Sequence, residues 1–182
     1  EGGSLPLEKV QQARVEEAGL MTRRNQWDVR EVKECWEKTR KSLVSIRWVD
    51  TNEGGETLGE MLVRSRLVAR DFKGGDKDRD DLFAETPPLE AKRLLLSRAA
   101  TRKKDKRRRK LMFIDARKAH LNPRCEVDEY IELPLECGVG EGVCGKLNYW
   151  LYGFRPAASA WEKQYSELLK GAGLAGGPGG GV

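Results

Sequence analysis

The chain has 182 residues, enough for one domain with a core of its own. Only 38% is hydrophobic and 35% is charged, so that core must come from a few short runs. No run approaches the apolar length that spans a bilayer, so no membrane is expected, while a net charge of +5 favours an anionic partner.

The opening Glu1-Gly-Gly-Ser4 lacks the basic start and apolar segment of a secretory signal. It also lacks an initiator Met, so the chain reads as a piece of something longer. The expected setting is intracellular, in a cytoplasmic particle or the nucleus, and not secreted. Cys35, Cys125, Cys137 and Cys144 contain no C-x-x-C pair, so free thiols are expected rather than a zinc site with His120.

Residues 5–24 place Leu5, Val10, Ala13, Ala18 and Met21 among charges, which predicts an amphipathic helix. Residues 25–41 are polar, with Trp27, Val29, Val32 and Trp36 as apolar islands, and residues 1–38 read as a helical or linker segment. Residues 43–49 and 61–72 are rich in β-branched and aromatic side chains and predict two strands joined through the turn at Asn52-Glu-Gly-Gly55. Alternation along the second strand puts Arg64, Arg66 and Arg70 on one face and Val63, Leu67 and Ala69 on the other. Such a strip suits phosphates, since each guanidinium offers two donors at once. A plain solvated sheet face reads the same way.

A helix is expected from Leu89 to Ala100, behind Pro88. Arg102-Lys-Lys-Asp-Lys-Arg-Arg-Arg-Lys110 then packs eight bases into nine residues. Arg102, Lys103, Lys104, Arg107, Arg108 and Arg109 are candidates for touching nucleic acid, or form an exposed solvated loop. Leu111 to Ile114 are apolar and run into Asp115, which predicts a buried strand ending in an acid. A carboxylate there is placed to hold a metal, or to cap the following turn.

Tyr130-Ile131 predicts a short edge strand, and residues 143–152 part strand and part turn. Pro156 opens a helix over 157–170, whose Trp161, Tyr165, Leu168 and Leu169 are expected to make core contacts. Residues 171–182 hold seven glycines in twelve positions, and the tail at 175–182 is expected to be disordered.

Several of these blocks, in order, resemble the reverse transcriptase domain of copia-type LTR retrotransposon polyproteins over residues 39–174. Arg47-Trp-Val49 resembles the family's Arg-Trp-Val strand. Arg64-Ser-Arg-Leu-Val-Ala-Arg-Asp-Phe72 resembles Lys-Ala-Arg-Leu-Val-Ala-Lys-Gly-Phe. Phe83-Ala84 and Arg93-Leu-Leu-Leu96 resemble Thr-Phe-Ala-Pro and Ile-Arg-Leu-Leu-Leu. Ile114-Asp-Ala-Arg-Lys-Ala-His-Leu-Asn122 resembles Leu-Asp-Val-Lys-Thr-Ala-Phe-Leu-Asn. Glu129-Tyr-Ile-Glu-Leu-Pro134 resembles the segment around Val-Tyr-Met-Glu-Gln-Pro. Leu151-Tyr-Gly-Phe-Arg155 and Ala160-Trp161 resemble Leu-Tyr-Gly-Leu-Lys-Gln-Ala-Pro-Arg-Ala-Trp.

The resemblance implies an α+β fold: fingers and partial palm of a right-hand polymerase, a mixed or antiparallel sheet with packed helices. It implies nucleotidyl transfer from a dNTP to a primer on an RNA or DNA template, with Mg²⁺ as cofactor and the rest of a polyprotein as partner. Asp115 matches the first catalytic, metal-holding aspartate. Arg64 and Arg66 match residues that grip the triphosphate, the backbone near Ala116 and Arg117 lies beside it, and His120 stands where an aromatic excludes the 2′-OH. Arg155 stands with the residues that contact nucleic acid.

The departures also carry weight. His120 replaces Phe or Tyr, Pro156 stands where the family has Gln, and Ala158 where it has Pro. The second acidic motif, Tyr-x-Asp-Asp or Val-Asp-Asp, does not occur. One carboxylate of three holds Mg²⁺ poorly, so this chain alone is expected not to polymerise. A basic nucleic-acid-binding module without catalysis, or a decayed remnant, are the alternatives.

Overall fold

The computed structural model describes residues 5–55, 57, 59–71, 89–101 and 110–174. The basic residues 102–109, the tail at 175–182, Gly74-Gly75 and Phe83-Ala84 therefore lie outside the described residues. The described residues form a mixture of helices and antiparallel sheet, an α+β arrangement.

Helix α1 spans Leu7–Arg23 and strand β1 spans Trp27–Glu31, followed by helix α2, Val32–Thr39. Strands β2, Ile46–Asn52, and β3, Val63–Ala69, pair antiparallel as a hairpin, with Trp48 opposite Leu67 and Val49 opposite Arg66. Helix α3, Leu89–Ala100, comes next, then strands β4, Tyr130–Ile131, and β5, Val143–Leu147, and helix α4, Pro156–Gly171. The three-stranded sheet runs β1-β5-β4. A parallel bridge from Val44 to Ile131 ties it to the hairpin.

The core lies where these units meet. Met21, Leu67, Leu121, Ile131, Leu147 and Leu151 are fully buried, joined by Trp27, Trp150 and Phe154. Each such aliphatic side chain contributes about 1.5–3 kcal/mol through burial. Gly145 sits mid-strand because the side chains of Leu133, Trp27 and Ile131 close over it, leaving no room for a Cβ.

Helix α1 packs on the inner face of the hairpin. Its Arg14 donates to Asp50 at 2.6 Å and lies over the Trp48 ring at 5.8 Å. Buried Ser65 donates to the other Asp50 oxygen at 2.6 Å. The Arg14 hydrogen bond holds the Asp50 carboxyl below the usual carboxylate range, against the opposing pull of burial. A depressed folded pKa gives stability that is present above the unfolded value and lost as the pH falls through the folded one. Asp50→Asn therefore destabilises by about 1–3 kcal/mol at pH 7. The gap from wild type narrows as the pH drops below about 4, read by urea unfolding at the two pH values.

The polar stretch at 25–41 forms β1 and α2, with Trp27 opposite Leu147 in the sheet. One expected strand is corrected: the apolar run 111–114 is not a buried strand. It has no regular secondary structure and is exposed, Phe113 by 82%. A strand needs partner amides and carbonyls as well as apolar side chains, and no described strand lies alongside this run. Helix α3 forms as expected, yet buries no residue.

Helix α4 also differs from expectation. Ala157 is its one buried residue, with Ala160 packed beside the core. Small side chains in the first turn allow that close approach, while Leu168 is 62% exposed. Trp161 and Leu168 instead line an open cleft with Arg24, Asn122, Tyr149 and Gln164. Among the described residues no helix is long and apolar enough to cross a membrane.

Candidate functional site

The outer face of β3 carries Arg64 and Arg66, while Ser65, Leu67 and Ala69 point into the core. The alternation read from the sequence is thus the alternation found. Arg70 lies just past the strand, its amide bonded to the Ser45 carbonyl at 2.8 Å.

The free edge of β3 is met by the turn at Tyr152-Gly153. The Ala69 amide donates to the Tyr152 carbonyl at 2.7 Å, and Val68 bridges Tyr152 in parallel. Gly153 takes φ +89° and lies so close that a Cβ would fall 2.1 Å from the Ala69 oxygen. Only glycine fits both the conformation and the space.

Asp115 leads into a second turn, through Ala116 and Arg117 to Lys118 at φ 52° and a short 3-10 helix over Ala119–Leu121. The His120 ring rests 5.8 Å from that of Tyr152, tilted by 32°. Burial, and the Glu17 carboxylate, push the Tyr152 hydroxyl above its usual pKa, while Arg64, Arg66 and Arg24 pull it back. The Tyr152 turn is thus tied to β3 through Ala69 and Val68, and the second turn reaches it through the His120 ring.

This second turn is held from α1 and from the link between α1 and β1. Lys118 donates to Glu17, a buried residue. Arg24 Nη2 donates to Asn122 Oδ1 at 2.8 Å, and the buried Gln26 side chain donates to the carbonyls of Leu121 and Trp150 at 3.3 and 2.9 Å. Sequence reasoning missed these clamps. Their signal was a glutamate among the inward positions of α1, beside Val10, Ala18 and Met21.

Not every candidate joins the site. Asp115 is exposed and bonds to no described residue, and no contact joins it to Arg64 or Arg66. Arg64 and Arg66 both bind Glu53. Arg155 pairs with Asp71 at 3.4 Å, and its amide donates to the same carboxylate at 3.2 Å. Arg102, Lys103, Lys104, Arg107, Arg108 and Arg109 lie outside the described residues.

No group of three His, Cys, Asp or Glu side chains that could hold a metal converges among the described residues. Asp115 alone does not fit Mg²⁺, which takes several oxygen ligands in near-octahedral order. The cysteines are free, and burial pushes the thiols of Cys125 and Cys137 up to about 11, where they stay protonated.

No solved structure matches the chain. The pattern of one family does match, from residue 26 through residue 176, so it takes in β1 to α4 and both turns of the site while leaving out α1. The chain belongs to that family, the reverse transcriptases (RNA-dependent DNA polymerases).

Proposed function

We propose that this chain supplies the fingers and part of the palm of a copia-type reverse transcriptase, and that its site receives the triphosphate of a dNTP. The observation that carries this reading is the docking of the Tyr152 turn on β3, the strand that bears Arg64 and Arg66 on its open face, with the His120 ring beside that of Tyr152. Arg64 and Arg66 supply paired donors for phosphate oxygens. The turn through Ala116 and Arg117 supplies backbone amides, and His120 with Tyr152 forms an aromatic wall for the sugar and base.

In the family as a whole the chemistry is Mg²⁺-dependent transfer to a primer on an RNA or DNA template. Here Asp115 belongs to no group of three or more His, Cys, Asp or Glu side chains that could hold a metal among the described residues. The chain on its own therefore binds a dNTP but does not extend a primer. Its remaining acids, and its place of action in a cytoplasmic particle or the nucleus, belong to the polyprotein around it.

Titration of the chain with dATP tests this reading. Saturable binding that dTTP, dGTP and inorganic triphosphate all displace supports it, since the triphosphate is the shared group. Absence of saturable binding to any of them contradicts it.

A further inference from the structure

Glu53 is the first residue past β2, and it folds back over the open face of β3. Its Oε1 accepts from Arg64 Nη1 at 3.1 Å and from Arg66 Nη2 at 2.8 Å. Its Oε2 accepts from the same Arg64 nitrogen at 3.1 Å. The backbone fixes this placement, because the Glu53 amide donates to the Leu62 carbonyl at 2.8 Å across the hairpin loop. One carboxylate thus engages a terminal nitrogen of each guanidinium.

A carboxylate and a phosphate ask the same thing of a guanidinium: two parallel donors. The three side chains are 41%, 30% and 37% exposed for Arg64, Arg66 and Glu53, so water and ligands reach the contact. Exposed pairs of this kind shift an equilibrium by no more than about fivefold each. The contact is strong enough to be the resting state and weak enough to be displaced.

We propose that Glu53 is an internal competitor for the anion site. It holds Arg64 and Arg66 while the site is empty, and an incoming polyphosphate enters by displacing it. The inference rests on the reading of these arginines as triphosphate-binding groups. The carboxylate lowers apparent affinity by the fraction of time it leaves the guanidiniums free. That factor is the same for every anion needing both guanidiniums, whatever its charge. A negative charge acting only through its field would instead weaken a triphosphate more than a pyrophosphate.

The test is titration of the 182-residue chain with inorganic triphosphate and with pyrophosphate, at one fixed salt concentration. Glu53→Gln tightens both by a common factor of about five to ten, from two exposed pairs released. Glu60→Gln removes the same charge from the same loop, where Glu60 accepts from Thr57 at 2.7 Å and touches neither arginine. It changes either affinity by less than about twofold. Arg64→Ala/Arg66→Ala weakens both anions. A gain in Glu53→Gln no larger than in Glu60→Gln, or one that grows with ligand charge, overturns the competition while leaving the arginine site standing. No loss in the double arginine variant overturns the arginine site and the competition together. A gain in affinity cannot come from misfolding, so Glu53→Gln reads cleanly.

Discussion

Replacing Arg64 and Arg66 together with alanine lowers the affinity for dATP about 30- to 100-fold. Charge-assisted hydrogen bonds contribute about 1.5–3 kcal/mol each, and 1.4 kcal/mol is tenfold in affinity. Both guanidiniums are part-exposed and already bonded to Glu53, so the loss falls somewhat below the low end of the sum, about 3 kcal/mol. Each arginine stands on the solvent face of a paired strand, and its removal opens no cavity in the core. The fold therefore persists, and near-wild-type unfolding by urea confirms that binding alone was lost. Arg30→Ala is the control for charge alone: it removes one guanidinium from β1, where Arg30 pairs with Asp28, and leaves dATP affinity unchanged. A loss equal to that of the double variant would reduce the site to net charge.

Gly153→Ala destabilises the protein by about 3–5 kcal/mol, near the top of what single substitutions do. Two causes add. The residue takes φ +89°, which an L side chain rarely adopts. The new Cβ would also lie 2.1 Å from the Ala69 oxygen and 2.7 Å from Val68 Cγ1, against backbone that cannot rotate away. Relief requires the Tyr152 turn to lift off β3. That breaks the 2.7 Å bond from the Ala69 amide to the Tyr152 carbonyl and loosens the buried neighbours Leu151 and Phe154. Equilibrium unfolding measures the loss. The remaining folded fraction binds dATP poorly, because the Tyr152 turn is no longer held against β3, the strand that carries the arginines. A loss under about 1 kcal/mol would show that the turn is free to move, and that the site is not built on this contact.

Local pattern made the hairpin, α1 and α4 legible, because each carries its own period or turn signal. Arg64 and Arg66 stood out by alternation alone, and the hairpin register places them on the open face. What the sequence hid was set by distant partners. Strand β1 exists because Trp27 to Glu31 pair with Leu147 to Val143, more than a hundred positions away, while its own Val29 is 51% exposed. Residues 111–114 show the reverse failure. They are as apolar and β-prone as any buried strand, but hydrophobicity without a neighbouring strand does not make a sheet. Glu53 was hidden for a third reason: a lone acid in a polar loop carries no periodicity, and its meaning appears only once the hairpin closes over Arg64 and Arg66. The hold of Glu17, Arg24 and Gln26 on the turn after Asp115 has the same origin.

The central claim is that three separate stretches build one nucleotide site: β3, the turn after Asp115 and the Tyr152-Gly153 turn. Amide hydrogen exchange with and without saturating dATP tests it most directly. The account predicts slowed exchange in residues 64–69, 116–122 and 151–154 together, and loss of all three effects in the Arg64→Ala/Arg66→Ala variant. Protection confined to the α4 cleft around Trp161 and Gln164, with these three stretches unchanged, would contradict it.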